Sequence, residues 1–173
     1  ISVIDEHGNL VLGSDDFEPV NLTDREYFKF HQQQDNNQLL IGKPVLGRVT
    51  GKWTIHMTRR IDKPDGSFGG VVLAAVDPGY FIEFYRKTDL GEQGLVMLVG
   101  LDGIARARRA GHVGSYGQDI SKSTLLAEQA KSGAGSFLSI GKIEGVPRFY
   151  SYRTLQWYPL IVAVGTSQAE TLA

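Results

Sequence analysis

Apolar positions along the chain fall into short runs broken by glycine, proline and polar residues. In SVIDEHGNLVLGS, two apolar runs flank His7-Gly8-Asn9, which predicts a hairpin. The next stretch, NLTDREYFKFH, has a helical pattern. Thr23 and Glu26 are spaced as a capping box, and Leu22 and Tyr27 as a hydrophobic staple. A helix from Asp24 follows, with Tyr27, Phe28, Phe30 and His31 on one broad face. QLLIGKPVLGRV and KWTIHMTRRID read as strands, and KPDGSFGG as a turn. GGVVLAAVD is nearly all apolar, which predicts a strand covered on both faces. PGYFIEFYR opens with Pro78 and spaces Phe81, Phe84 and Tyr85 as an aromatic helix face.

The same order then recurs. GLVMLVGLDGIARARR is a hairpin around Asp102-Gly103, STLLAEQAKSG a short helix, and GSFLSIGKIE, PRFYSYRTL and YPLIVAVGTS three strands. Two strands, a helix and three strands therefore occur twice, with little residue identity between the copies. Antiparallel hairpins with helices set between them indicate an α+β fold. The expected architecture is two tandem units, each a roughly five-stranded antiparallel sheet with short flanking helices. The expected units are residues 1–88 and 89–173, joined near Tyr80 to Gly91.

Composition narrows the function classes. There are 173 residues, enough for one large or two small cores, and a formal net charge of −1. Near-neutral charge gives no general attraction to nucleic acid. ARARR is basic, but its alternation suits a strand with Arg106 and Arg108 in water. No cysteine is present, which removes thiol chemistry and disulfides and fits an oxidising compartment. The four histidines are scattered, and no G-x-S-x-G occurs, so neither a metal site nor a catalytic nucleophile is expected. No apolar run reaches bilayer-spanning length. ISVIDEHGN lacks the features of a signal peptide, and the two ends read as those of a piece of a longer chain.

Candidate binding chemistry clusters in the first half. Arg25 stands near a helix start, where the dipole disfavours a cation. Either it meets an anionic ligand together with the unpaired helix N–H groups, or it pairs with Asp24 or Glu26 at the surface. Tyr27 and His31, one turn apart, form either a polar lip over a pocket or packed side chains. Phe28 is core or pocket wall. In KWTIHMTRRI, Trp53, Ile55, Met57, Arg59 and Ile61 share one face, and Thr54, His56, Thr58 and Arg60 the other. Burying the polar row is costly unless something pairs with it. An anion contacting Thr58 and Arg60 is one solution, and a solvated face the other. Trp53 either lines the pocket or caps the core. Asp77 either accepts hydrogen bonds from a ligand amine or caps the helix that begins at Pro78.

The element order, with DREYF, IGKPV, TRRI, DGSFGGVV and VDPGYF in series from Asp24 to Phe81, resembles the double Cache family of bacterial sensor domains (tandem PAS-like, or PDC, domains). The resemblance covers essentially the whole chain. It implies two PAS-like units, with the ligand pocket in residues 1–88 as the membrane-distal unit and 89–173 as the membrane-proximal one. It implies a non-catalytic, periplasmic part of an inner-membrane receptor whose output module is a diguanylate cyclase, histidine kinase or chemoreceptor. The transmembrane helices, and the long N-terminal helix through which a homodimer forms, would lie outside this chain. In the amino-acid-binding branch an Arg-x-aromatic-aromatic set holds the ligand carboxylate, and an aspartate after the last strand holds its amine. Arg25, Tyr27, Phe28 and Asp77 match those positions, although Tyr27 stands where that branch prefers tryptophan and Phe28 where it prefers tyrosine. The expected partner is a small carboxylate or amino acid, with no cofactor, metal or nucleic acid. Ligand binding would shift a population of helix–sheet arrangements and reach the C-terminal segment near Ser167. The alternative is a structural or dimerisation domain that binds no ligand.

Overall fold

The computed structural model describes residues 1–173. The chain divides into two compact units, Ile1–Asp77 and Pro78–Ala173. The first opens with strands β1 (Ser2–Asp5) and β2 (Leu10–Gly13). Their turn is fixed by Asp5, whose carboxylate accepts from the backbone N–H groups of His7 and Asn9. Gly8 provides the positive φ of 83°. Helix α1 (Glu26–Gln33) is followed by two short strands, β3 (Leu40–Ile41) and β4 (Val45–Leu46). The long strands β5 (Trp53–Asp62) and β6 (Phe68–Val76) complete the sheet.

The strand order is β2-β1-β6-β5-β3, antiparallel between neighbours, with β4 also on β5. One face carries Ile4 from β1, Val71 and Leu73 from β6, and the even-numbered residues of β5. Leu22, Tyr27 and Phe28 join Ile4, Leu10, Val71 and Leu73 in one core cluster. That cluster explains why α1 lies on this face. On the other face of β6, Val72, Ala74 and Val76 are half-buried, so that face is less fully covered than it would be in a strand covered on both faces. Gly70, in the central strand, has φ 134°, and a Cβ there would collide with the Ile4 carbonyl oxygen.

The second unit begins with helix α2 (Pro78–Tyr85), which packs on β8 and β9. Strands β7 (Leu95–Gly100), β8 (Ala105–Ala110) and β9 (Val113–Ser115) precede helix α3 (Thr124–Gln129). Strands β10 (Ala134–Ile140), β11 (Pro147–Thr154) and β12 (Leu160–Ser167) and helix α4 (Gln168–Thr171) end the chain. The order is β10-β11-β12-β7-β8-β9. In both sheets the N-terminal hairpin therefore sits beside the last strand, so the repeated element order is a repeated topology. Each sheet has six strands rather than about five. The third strand of the first unit breaks at Gly42-Pro44, and β9 adds to β8. The exposed Phe84 is also not on the packed side of α2. Tyr85 is buried, and Ile82 lies against Gly114.

Strand β8 departs from its sequence expectation. Arg106 and Arg108 are 5% and 6% exposed, not in water. Arg106 donates to Asp102 at 2.6 and 2.9 Å, and Arg108 donates to Glu144. Buried guanidinium groups need such partners, and the alternation of alanine and arginine does not show which face the partners occupy. No helix is long and apolar enough to cross a membrane.

Candidate functional site

The helix start in the first unit differs from its sequence pattern. Thr23 does not cap it. Its backbone N–H and hydroxyl both donate to the side-chain oxygen of Asn21, at 3.2 and 2.6 Å. This local bond competes with the capping box and wins. A turn from Leu22 to Arg25 results, with the Arg25 N–H on the Leu22 carbonyl at 3.1 Å. Arg25 itself takes the N-cap position with extended dihedrals, and its carbonyl accepts from Phe28 and Lys29. The guanidinium therefore leaves the chain where the helix begins.

The two surface partners proposed for Arg25 are engaged elsewhere. Asp24 receives both terminal nitrogens of Arg48, at 2.9 and 2.6 Å, and Glu26 lies 3.8 Å from Lys43. Arg48 also donates to the Asn21 carbonyl, so one side chain ties the Gly47–Thr50 loop to the 21–24 turn. The Arg48 hydrogen bonds to the Asp24 carboxylate hold that carboxyl below its usual range. Arg25 makes no ion pair and no side-chain hydrogen bond, and its Nε is buried without an acceptor.

Beside Arg25 lies a cavity of about 340 Å³. Ile4, Leu10, Leu22 and Leu73 form its apolar floor, and Tyr27, Thr54, His56, Arg48 and Lys52 add polar walls. Asp15 and Asp16 stand at the loop that follows β2. Tyr27 and His56 meet edge to face at 5.2 Å. Burial raises the Tyr27 phenol to about 12, so it is a neutral O–H donor. Burial, and then the Arg25 charge, lower His56 to about 4, so its imidazole is neutral at pH 7. Arg25 thus brings a guanidinium without an ion-pair partner to the wall of a cavity of ligand size.

The other expected site residues lie outside this lining. Phe28 is fully buried in the core, edge to face with Phe68 at 5.4 Å. His31 and Thr58 are both buried and share a hydrogen bond of 2.9 Å. Burial lowers the His31 pKa, and its Nδ1 has no partner. Arg60 donates to the His31 carbonyl at 2.8 Å and to Asp62 at 2.6 Å, and it stands 5.1 Å over the Phe68 ring. Trp53 is 49% exposed on the opposite side of β5. Asp77 follows β6 and is not among the lining residues.

The polar row of β5 therefore splits in two. α1 covers Thr58 and Arg60 through His31, while Thr54 and His56, beyond the helix start, remain open to the cavity. Period two identified the whole row, but which end stays open depends on where α1 rests. Arg48 and Lys52 carried a weaker signal, since Gly47 and Gly51 bracket Arg48 in a loop and Lys52 directly follows it. Nothing in the local pattern tied that loop to Asp24.

Comparison with known proteins agrees with this architecture. A family model described as a dCache_1-like histidine kinase sensor domain matches residues 78–165. The extracellular domain of rpHK1S-Z16, a protein assigned as a histidine kinase, is 30% identical, with a TM-score of 0.92 over 99% of this chain and 71% of that one. The ligand-binding domain of the Pseudomonas fluorescens chemoreceptor CtaA, solved with L-leucine, is 14% identical, with a TM-score of 0.65 over 99% of this chain and 72% of that one. The corresponding domain of the Pseudomonas aeruginosa PAO1 chemoreceptor PctB, solved with L-Gln, is also 14% identical, with a TM-score of 0.69 over 99% and 69%. No curated protein matches the chain. The matched residues and the 30% identity over nearly the full length show that the chain belongs to the dCache_1-like family of histidine kinase sensor domains.

Proposed function

We propose that the first unit binds a small carboxylate or an amino acid in the cavity beside Arg25, as the input site of a bacterial signalling receptor. The observation that carries this reading is the buried Arg25 Nε, with no protein acceptor, beside a cavity of about 340 Å³. A ligand carboxylate would complete the guanidinium's hydrogen bonds and offset the cost of a cation at a helix start. The Tyr27 hydroxyl would add a neutral donor. An α-amino group would face Asp15 or Asp16, which line the same cavity. The L-amino acids bound by CtaA and PctB, which share the fold, support this ligand class. The receptor part proposed is the extracytoplasmic portion of an inner-membrane protein.

A thermal-shift screen of L-amino acids and small carboxylates tests the reading. A true ligand stabilises the folded state by about 2.7 kcal/mol at a hundredfold excess over its dissociation constant, so Tm rises with concentration. Amino acids and acids should give hits, and their neutral amide or alcohol analogues should not. A broad panel without a hit would favour a domain that serves as spacer or dimerisation platform.

A further inference from the structure

The second unit holds a cavity of its own, about 180 Å³, which has room for roughly six waters. Leu95, Met97, Ile120, Leu125, Phe137 and Tyr150 form its apolar walls. Its polar end is built on buried charge. Arg108 and Arg148, 6% and 1% exposed, share the single carboxylate of Glu144. Burial alone would raise the Glu144 pKa, but the hydrogen bonds and charges of both arginines bring it below the usual range, so the carboxylate is ionised. Two guanidinium groups against one carboxylate leave one positive charge in excess.

The hydrogen-bonding capacity is equally unbalanced. Arg148 is well used, with Nη1 on Glu144 at 3.0 Å and Nε on the Gln93 carbonyl at 2.7 Å. Arg108, which lines the cavity, makes its one side-chain hydrogen bond through Nη2 to Glu144. Its Nε and Nη1 have no protein acceptor. The Tyr150 hydroxyl also has none, while its ring is held by Phe137, stacked at 5.0 Å and 8°. A methyl group at Gly141 would lie 3.0 Å from Arg148 Nη1, 3.2 Å from Tyr150 Oη and 3.4 Å from Glu144 Oε2. The phenol and the charge network therefore converge on one end of the cavity. Lys122 and Lys142 add positive charge to the lining. Asp119, also present, accepts from the Ser121 N–H at 2.9 Å.

We propose that this cavity is a second ligand site, which takes a small monocarboxylate with a compact apolar body through Arg108 and Tyr150. The carboxylate balances the excess charge and accepts from the free guanidinium N–H groups and the phenol. The apolar body fills the space between Met97, Leu125 and Phe137. The site stands independently of the first-unit reading.

The chain contains two methionines, Met57 in the first unit and Met97 in this cavity, so isotope-labelled methionine methyl groups report on the units separately. Butyrate, 3-methylbutyrate and benzoate would be titrated into the Arg25→Ala chain, with butyramide and benzamide as neutral counterparts. The expected result is a saturable shift of Met97 by at least one carboxylate and by neither amide. Tyr150→Phe, which keeps the ring stack, and Arg108→Lys should each weaken that binding about tenfold, the loss typical of one hydrogen bond to a charged group. A Met97 methyl that no carboxylate moves would overturn the proposal. So would an amide that binds equally well, or unchanged affinity in both variants.

Discussion

An arginine at a helix start opposes the helix dipole, and Arg25 has no carboxylate of its own to offset this. Its replacement by alanine should leave Tm without ligand nearly unchanged. It should weaken carboxylate binding roughly 10- to 100-fold, the range expected for hydrogen bonds to a charged partner, as read by calorimetric titration. His56 gives a pH prediction. Its folded-state pKa of about 4 lies below the ordinary imidazole value of 6.5. On acidification the unfolded chain takes up the proton first. Stability from this group is therefore full above about 6.5 and is lost as pH falls toward about 4. His31, also lowered by burial, adds in the same direction. Tm measured across that window should fall, and His56→Gln should flatten part of the fall. A bound carboxylate should move the His56 titration upward, because the anion opposes the Arg25 charge. At this scale the sequence was informative about Arg25 and Tyr27, whose side chains face the cavity. It was less so about His31, Thr58 and Arg60, since hydrogen bonding among themselves already satisfies much of their polarity.

At the scale of elements, hairpins were the most readable feature. Asp5 with Gly8, and Asp102 with Gly103, encode their turns locally through side-chain acceptors and positive φ. The start of α1 was harder to read. Thr23 and Glu26 have the right spacing for a capping box, but Asn21, two residues before Thr23, takes both of its donors. Such a competition between two local motifs is decided by the tertiary anchor of the turn. Asn21 also donates to the His7 carbonyl at 2.8 Å, which fixes the turn to the first hairpin. The burial of Arg108 in β8 was unreadable for a related reason, because its partner Glu144 is 36 residues away. Gly70 yields a sharp prediction for the central strand. Gly70→Ala combines positive φ with a collision against Ile4, and should cost on the order of 2 kcal/mol or more in chemical denaturation. Gly66→Ala shares the positive φ but meets nothing within 4 Å, so it should cost less.

At the scale of the whole molecule, two units repeat one topology with almost unrelated sequences. Each encloses a cavity between its sheet and a neighbouring helix or loop, and each cavity contains arginine. The repeat was visible as an order of elements, because strand and helix periods survive where residue identity does not. The division of polar residues between cavity and core was not visible, since it depends on how far each helix reaches over its sheet. A sensor works only if its ligand binds one state better than another. Ligand binding in the first unit should therefore slow hydrogen exchange at the start of α1 and in the Gly47–Thr50 loop, which Arg48 ties to the 21–24 turn. Exchange in β5 and β6, already paired along their length, should change little.

The most direct test is a crystal structure of the chain with the tightest-binding carboxylate or amino acid from the screen. The proposed site predicts ligand density in the first-unit cavity, with a carboxylate oxygen within hydrogen-bonding distance of Arg25 Nε and close to the Tyr27 hydroxyl. Ligand density outside that cavity, with the Arg25 guanidinium still lacking an acceptor, would contradict it.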